Sequence, residues 1–260
     1  MPEENENLDL FDEVEEVVSR DGKKVKRRGI FLLPNLLTTT SLFFGFFSIV
    51  SSIQGDFISA GMAIFAAGVF DGLDGRVARL ANAQSAFGEQ YDSICDVISF
   101  GLAPAIAVFL WGLEDLGRAG WIFSFLFVAA AALRLARFNA NIGTEEKFFR
   151  GLPSPAAAGT IGFFVWAMAS SGIQESLVSD MLSILTALLT GVVAILMVIN
   201  VPYYSFKEIE NKRRVPFIVL LGVIFFLALV ALDPPLVLVI STSIYTLSGP
   251  VIWALKRLRN

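Results

Sequence analysis

The chain has 260 residues, 55% of them hydrophobic and 17% charged, with a mean hydropathy of +0.67. That is too apolar for a soluble globular domain and fits a polytopic membrane protein. A single cysteine, Cys95, excludes an intramolecular disulfide framework and a cysteine-rich zinc site, and the absence of histidine leaves acid–base chemistry to carboxylates, Lys, Tyr or water.

The net charge of −4 is unevenly spread: the first 21 residues hold nine of the 24 acidic side chains and one of the 20 basic ones. Residues 1–21 read as an acidic cytosolic tail, disordered or a short helix, without the basic-then-apolar order of a signal peptide. From Gly22 onward the balance is 19 basic to 15 acidic, and residues 22–260 are expected to form one transmembrane domain. Eight apolar segments follow, at about 31–53, 56–80, 88–111, 119–141, 154–173, 181–203, 215–232 and 235–255, each near the ~20 residues that cross hydrocarbon as a helix. With that count, 19 of the 20 Lys and Arg residues fall on one side and Arg118 alone on the other. The asymmetry predicts an all-α bundle of about eight transmembrane helices with both termini in the cytoplasm. No convincing internal repeat supports an inverted-repeat transporter.

Four aspartates stand where hydrocarbon is expected. Asp71 and Asp74 close the second apolar segment, and Asp92 and Asp96 open the third. An ionisable side chain in such a place costs several kcal/mol, roughly 2.5–3.5 on insertion scales, and like charges add repulsion. On helices, Asp71, Asp74 and Ala78 share one face, and Gly88, Asp92 and Asp96 share another. Two facing antiparallel helices therefore converge four carboxylates. Such a ligand set suits hard cations, Mg²⁺ or Mn²⁺, and two ions better than one. Gly72, Gly75, Ala78 and Gly88 clear room for a bulky ligand, and Arg79 lies one turn on, within reach of a phosphate. Asn35 and Thr38, near the start of the first span, are candidate contacts for the same ligand.

The pattern D-x2-D-G-x2-A-R-x8-G-x3-D-x3-D, here Asp71, Asp74, Gly75, Ala78, Arg79, Gly88, Asp92 and Asp96, resembles the signature of the CDP-alcohol phosphotransferases. The resemblance implies an integral membrane enzyme that makes phospholipid head-group bonds. It implies that Asp71, Asp74 and Asp92 hold two metal ions, and that Asp96 touches the second ion and acts as base toward the acceptor hydroxyl. Gly75, Ala78 and Gly88 then frame the cytidine and diphosphate, and Arg79 contacts the diphosphate.

Flanking stretches resemble the phosphatidylserine synthase branch of that family: Ser99-Phe100-Gly101-Leu102-Ala103-Pro104, Arg134-Leu135-Ala136-Arg137-Phe138-Asn139 and Gly151-Leu152-Pro153-Ser154-Pro155. The expected substrates are CDP-diacylglycerol and L-serine, with Arg134 or Arg137 pairing with the serine carboxylate and Asn139 near its ammonium. The resemblance further implies a homodimer in the cytoplasmic membrane with its site facing the cytoplasm. No nucleic-acid partner is expected. Within the family the alternative is another acceptor, glycerol 3-phosphate or an inositol phosphate; outside it, an ion-coupled transporter. Glu89 reads as an interfacial residue.

Overall fold

The computed structural model describes residues 14–18, 24–28, 32–81, 83, 85–140, 149–173, 178–203 and 217–259. The apolar part is all helix. Ahead of it, β1 (Val14–Val18) pairs antiparallel with β2 (Lys24–Arg28), setting Glu15 opposite Arg27 and Glu16 opposite Lys26 in the backbone register. The rest of the acidic head lies outside the described residues.

The first two long helices are α1 (Leu32–Ile53) and α2 (Phe57–Leu80), joined at Gly55 and capped by Asp56, whose carboxylate accepts the Ser59 N–H at 3.0 Å. Their packing inverts the pattern of a soluble protein. On α1 the buried positions are Pro34, Thr38, Ser41, Gly45, Ser48, Ser51 and Ser52, while Phe43, Phe46 and Phe47 face outward. In lipid, apolar bulk gains nothing by facing protein, and small residues let backbones approach and hydrogen-bond. Ser41 accordingly donates to the Ala67 carbonyl at 3.0 Å, and Ser99 donates to the Ser41 carbonyl at 3.2 Å.

The third helical run changes pitch along its length. It comprises α3 (Ala86–Asp96), a π-helical turn (Val97–Leu102), α4 (Ala103–Val108), a second π-helical turn (Phe109–Leu113) and a 3₁₀ turn (Glu114–Leu116). Ser85 starts it, accepting the Gly88 N–H at 2.9 Å. Beyond lie α5 (Arg118–Ala140), α6 (Ser154–Ser170), α7 (Asp180–Val198), α8 (Phe217–Leu232) and α9 (Pro234–Arg259), with the short pair β3 (Phe149–Arg150) and β4 (Pro202–Tyr203) beside α6 and α7. α6 is the central helix, buried on most sides and packed on α2 and α9; α5 packs on α7. The main core gathers Trp111, Phe127, Leu152, Ile161, Val193, Met197 and Tyr203.

The loop entering α6 is pinned to the end of α7. Gly151 N–H donates to the Val201 carbonyl at 2.9 Å and Leu152 N–H to the Leu196 carbonyl at 2.8 Å. Gly151 has φ +85°, and a Cβ there would lie 2.4 Å from the Met197 carbonyl oxygen. Glycine is required at that point by both backbone angle and space.

Among the described residues, six helical runs are long and apolar enough to cross a membrane: Leu32–Ile53, Phe57–Leu80, Phe87–Leu116, Arg118–Ala140, Asp180–Val198 and Pro234–Leu258. The other two expected segments form the shorter helices α6, with 17 residues, and α8, with 16. At 1.5 Å per residue these are ~25 Å long against a hydrocarbon layer of ~30 Å. Hydropathy windows register composition and include the turn residues beyond each helix end, so the expected segments are longer than the helices.

Candidate active site

Asp71 and Asp74 lie in the C-terminal half of α2, and Asp92 and Asp96 in the C-terminal half of α3. α1 packs along α2 and against α3, whereas α2 and α3 touch each other little. The two acid-bearing helices are thus held in register largely by α1, leaving space between them. One oxygen from each of Asp71, Asp74 and Asp92 lies within 4.8 Å of the others. The Asp96 carboxyl hydrogen-bonds to that of Asp71, so the fourth aspartate joins the same cluster.

The cluster fits a divalent cation. Every donor is a hard carboxylate oxygen. The Asp92 Oδ1 atom is buried and has no hydrogen-bond partner among the described residues. A buried carboxylate oxygen without a donor is costly in protein alone and is satisfied by coordination to a cation. Asp74, only 5% exposed, accepts a hydrogen bond from the buried Thr38 hydroxyl at 2.7 Å. Thr38 also lies 3.1 Å from the Pro34 carbonyl, but its one proton goes to the shorter, charged acceptor. This contact orients the carboxylate from a third helix.

A cleft opens beside the carboxylates. It is lined by Asn35 and Thr38 of α1, by Asp74, Gly75, Ala78 and Arg79 of α2, and by Gly88 and Asp92 of α3. Gly88 keeps α3 close to α1 here: a Cβ added to it would sit 3.4 Å from Asn35 Oδ1. Ser85 and Glu89 line the same cleft, so Glu89, read from the sequence only as interfacial, is part of its wall. A sequence signal for Ser85 exists in retrospect, because serine three residues before Gly88 is a helix N-cap.

The three acceptor candidates on α5 go to different places. Arg134 points inward: Nη1 donates to the fully buried Ser154 Oγ at 2.9 Å, and the guanidinium interacts electrostatically with Asp96 and Tyr245. Its Nε is buried without a hydrogen-bond partner among the described residues. Arg137 is exposed and donates to the Val198 carbonyl at 2.8 Å and to Asn200 Oδ1 at 3.3 Å. Asn139 donates to Ser93 Oγ at 2.9 Å, tying α5 to α3. Neither Ser93 nor Ser154 is recognisable in the sequence as a partner of these side chains.

Carboxylates converging on a candidate cation site beside a small-residue cleft, in a bundle of long apolar helices, suit metal-assisted transfer of a phosphoryl-type group. Residues 31–203 match the CDP-alcohol phosphatidyltransferase family, and the chain belongs to it. It is 36% identical over 225 residues to the CDP-diacylglycerol–serine O-phosphatidyltransferase of Helicobacter pylori (strain ATCC 700392 / 26695), covering 86% of this chain and 92% of that protein. It is 39% identical over 145 residues to the enzyme of the same name from Mycobacterium tuberculosis (strain ATCC 25618 / H37Rv), covering 53% of this chain and 50% of that one. The archaetidylserine synthase of Methanothermobacter thermautotrophicus is 37% identical over 155 residues, 59% of this chain and 66% of that one.

Proposed function

We propose that the protein transfers the phosphatidyl group of CDP-diacylglycerol to the hydroxyl of L-serine, giving phosphatidylserine and CMP. The observation that carries this reading is the meeting of Asp71, Asp74 and Asp92 within 4.8 Å beside a cleft of small residues. The relatives named as serine O-phosphatidyltransferases support serine as the acceptor.

In this reading Asp71, Asp74, Asp92 and Asp96 hold two divalent ions, Mg²⁺ or Mn²⁺. When bound, such ions offset the charge of the diphosphate and of the departing CMP. Asn35, Thr38, Gly75, Ala78 and Gly88 form the wall against which the cytidine diphosphate lies, and Arg79 neutralises a phosphate oxygen. Asp96 takes the hydroxyl proton of serine as its oxygen attacks the phosphorus that carries the lipid. That new P–O bond replaces the bond to CMP, which leaves with the electron pair. Arg134 receives the serine carboxylate. Its inward direction and its unpartnered buried Nε support it over Arg137 and Asn139, whose hydrogen bonds run to α7 and α3.

The membrane setting belongs to the same proposal. All eight apolar segments cross the cytoplasmic membrane, both termini and the site face the cytoplasm, residues 1–21 remain a cytosolic head, and the enzyme is a homodimer. The 19-to-1 division of basic residues supports that orientation. The lipid tails stay in the bilayer while serine enters from water, which accounts for a polar site in the C-terminal half of α2.

The test is CMP release by the purified protein in detergent–lipid micelles with CDP-diacylglycerol and Mn²⁺ or Mg²⁺. L-Serine, glycerol 3-phosphate and an inositol phosphate are supplied separately. Release with serine alone, abolished by chelation, is the expected result. Release only with another alcohol overturns the acceptor assignment and keeps the chemistry. Uptake into sealed vesicles without CMP release would replace the enzyme reading with a transporter.

A further inference from the structure

Ser154 is the first residue of α6, is fully buried, and its hydroxyl oxygen accepts Arg134 Nη1 at 2.9 Å. A serine oxygen at the start of a helix lies close to the helix's own free N–H groups. Here the oxygen is turned onto another helix, and a proline, Pro153, precedes it at the N-cap position without a side-chain cap. The Gly151–Pro153 segment that presents it is fixed to α7 through the Gly151–Val201 and Leu152–Leu196 hydrogen bonds. The oxygen is therefore a rigidly placed acceptor. A guanidinium is a planar fork with fixed donor directions, so holding one Nη sets where Nε–H and the other Nη–H groups point. With Nη1 engaged by Ser154, the buried Nε stays unpaired among the described residues. One edge of the fork thus lies inside the bundle without a partner among the described residues, an edge that a carboxylate oxygen would satisfy.

We propose that Ser154 is a positioning residue that aims the Arg134 guanidinium at the carboxylate of the acceptor. This rests on the assignment of Arg134 to the acceptor site made above. The role differs from that of the aspartates: Ser154 touches neither substrate, and its contribution is read in acceptor binding rather than in turnover.

The experiment compares the full-length protein with Ser154→Ala, Arg134→Ala and the double variant, measuring CMP release against serine and against CDP-diacylglycerol, with thermal unfolding of each variant. Ser154→Ala is expected to raise KM for serine about tenfold, the scale of a lost hydrogen bond to a charged group. KM for CDP-diacylglycerol and kcat at saturating serine stay near wild type. The double variant is expected to be no worse than Arg134→Ala, because the serine acts through the arginine. Two results overturn the proposal while leaving Arg134 in place. One is a raised KM in Arg134→Ala with none in Ser154→Ala; the other is a fall in kcat, both KM values and unfolding temperature together, which marks a structural role. An unchanged serine KM in Arg134→Ala removes the acceptor assignment itself, and the Ser154 proposal with it.

Discussion

Replacing Thr38 by valine removes one hydroxyl and almost no volume. The hydroxyl is buried and lies 2.7 Å from Asp74 Oδ2, on a carboxylate that is itself 5% exposed. A hydrogen bond to a charged group contributes about 1.5–3 kcal/mol. If that energy orients Asp74 toward a cation, its loss appears as weaker cation binding by roughly one to two decades. This agrees with the about 10–100-fold cost of removing an outer-shell partner from a metal ligand. The assay is CMP release across a Mn²⁺ titration at saturating substrates. Thr38→Val should shift half-activation to about 10–100-fold higher Mn²⁺ and approach the wild-type rate at high metal; Thr38→Ser, which keeps the donor, should not. A normal Mn²⁺ curve with a raised KM for CDP-diacylglycerol would refute the reasoning, because the hydroxyl would then serve the nucleotide rather than Asp74.

Asp96→Asn should lower kcat about 10²–10⁴-fold, the usual range for a general base, while the protein still extracts and elutes as folded; full activity in this variant would remove Asp96 from proton transfer. Gly151→Ala should lower the apparent Tm, because a left-handed backbone costs a side chain about 1–2 kcal/mol and the new Cβ meets the Met197 carbonyl at 2.4 Å. A Tm equal to wild type would show that the loop relaxes. Arg137→Ala should reduce thermal stability slightly by freeing the end of α7 and leave KM for serine unchanged, so a large rise in that KM would return Arg137 to the acceptor site.

The clustering of the four aspartates was legible because it depends on spacing within two helices, and helical periodicity converts i, i+3 and i, i+4 directly into a shared face. The part of the site that comes from α1 was only half legible. Asn35 and Thr38 could be placed near the nucleotide, but a threonine 36 residues from Asp74 carries no local sign of its hydrogen bond. The Arg134/Arg137 pair shows the limit of the same periodicity. Three residues apart is about 60° around a helix, enough at the end of α5 for one side chain to turn into the bundle and the other to cross to α7. The pairing of Val14–Val18 with Lys24–Arg28 was hidden by composition, since charged residues outnumber the valines, three in the first strand and one in the second, and neither strand alternates apolar with polar.

The π-helical turn of Val97–Leu102 stands between Asp96 and α4, whose Ala103, Pro104, Ala105, Ala107 and Val108 are all buried. A π turn holds one residue more than the α turn it replaces, and one residue is about 100° of rotation. The core grips α4, so the angular setting of Asp92 and Asp96 is stored as a residue count in the turn between them. Side-chain changes at most of its positions leave that count intact. Removing one residue does not: it rewinds the turn into α-helix and swings both carboxylates about a quarter of a revolution away from Asp71 and Asp74. The segment thus works as a mechanical index for the site, set by the number of its residues and intolerant of insertion or deletion.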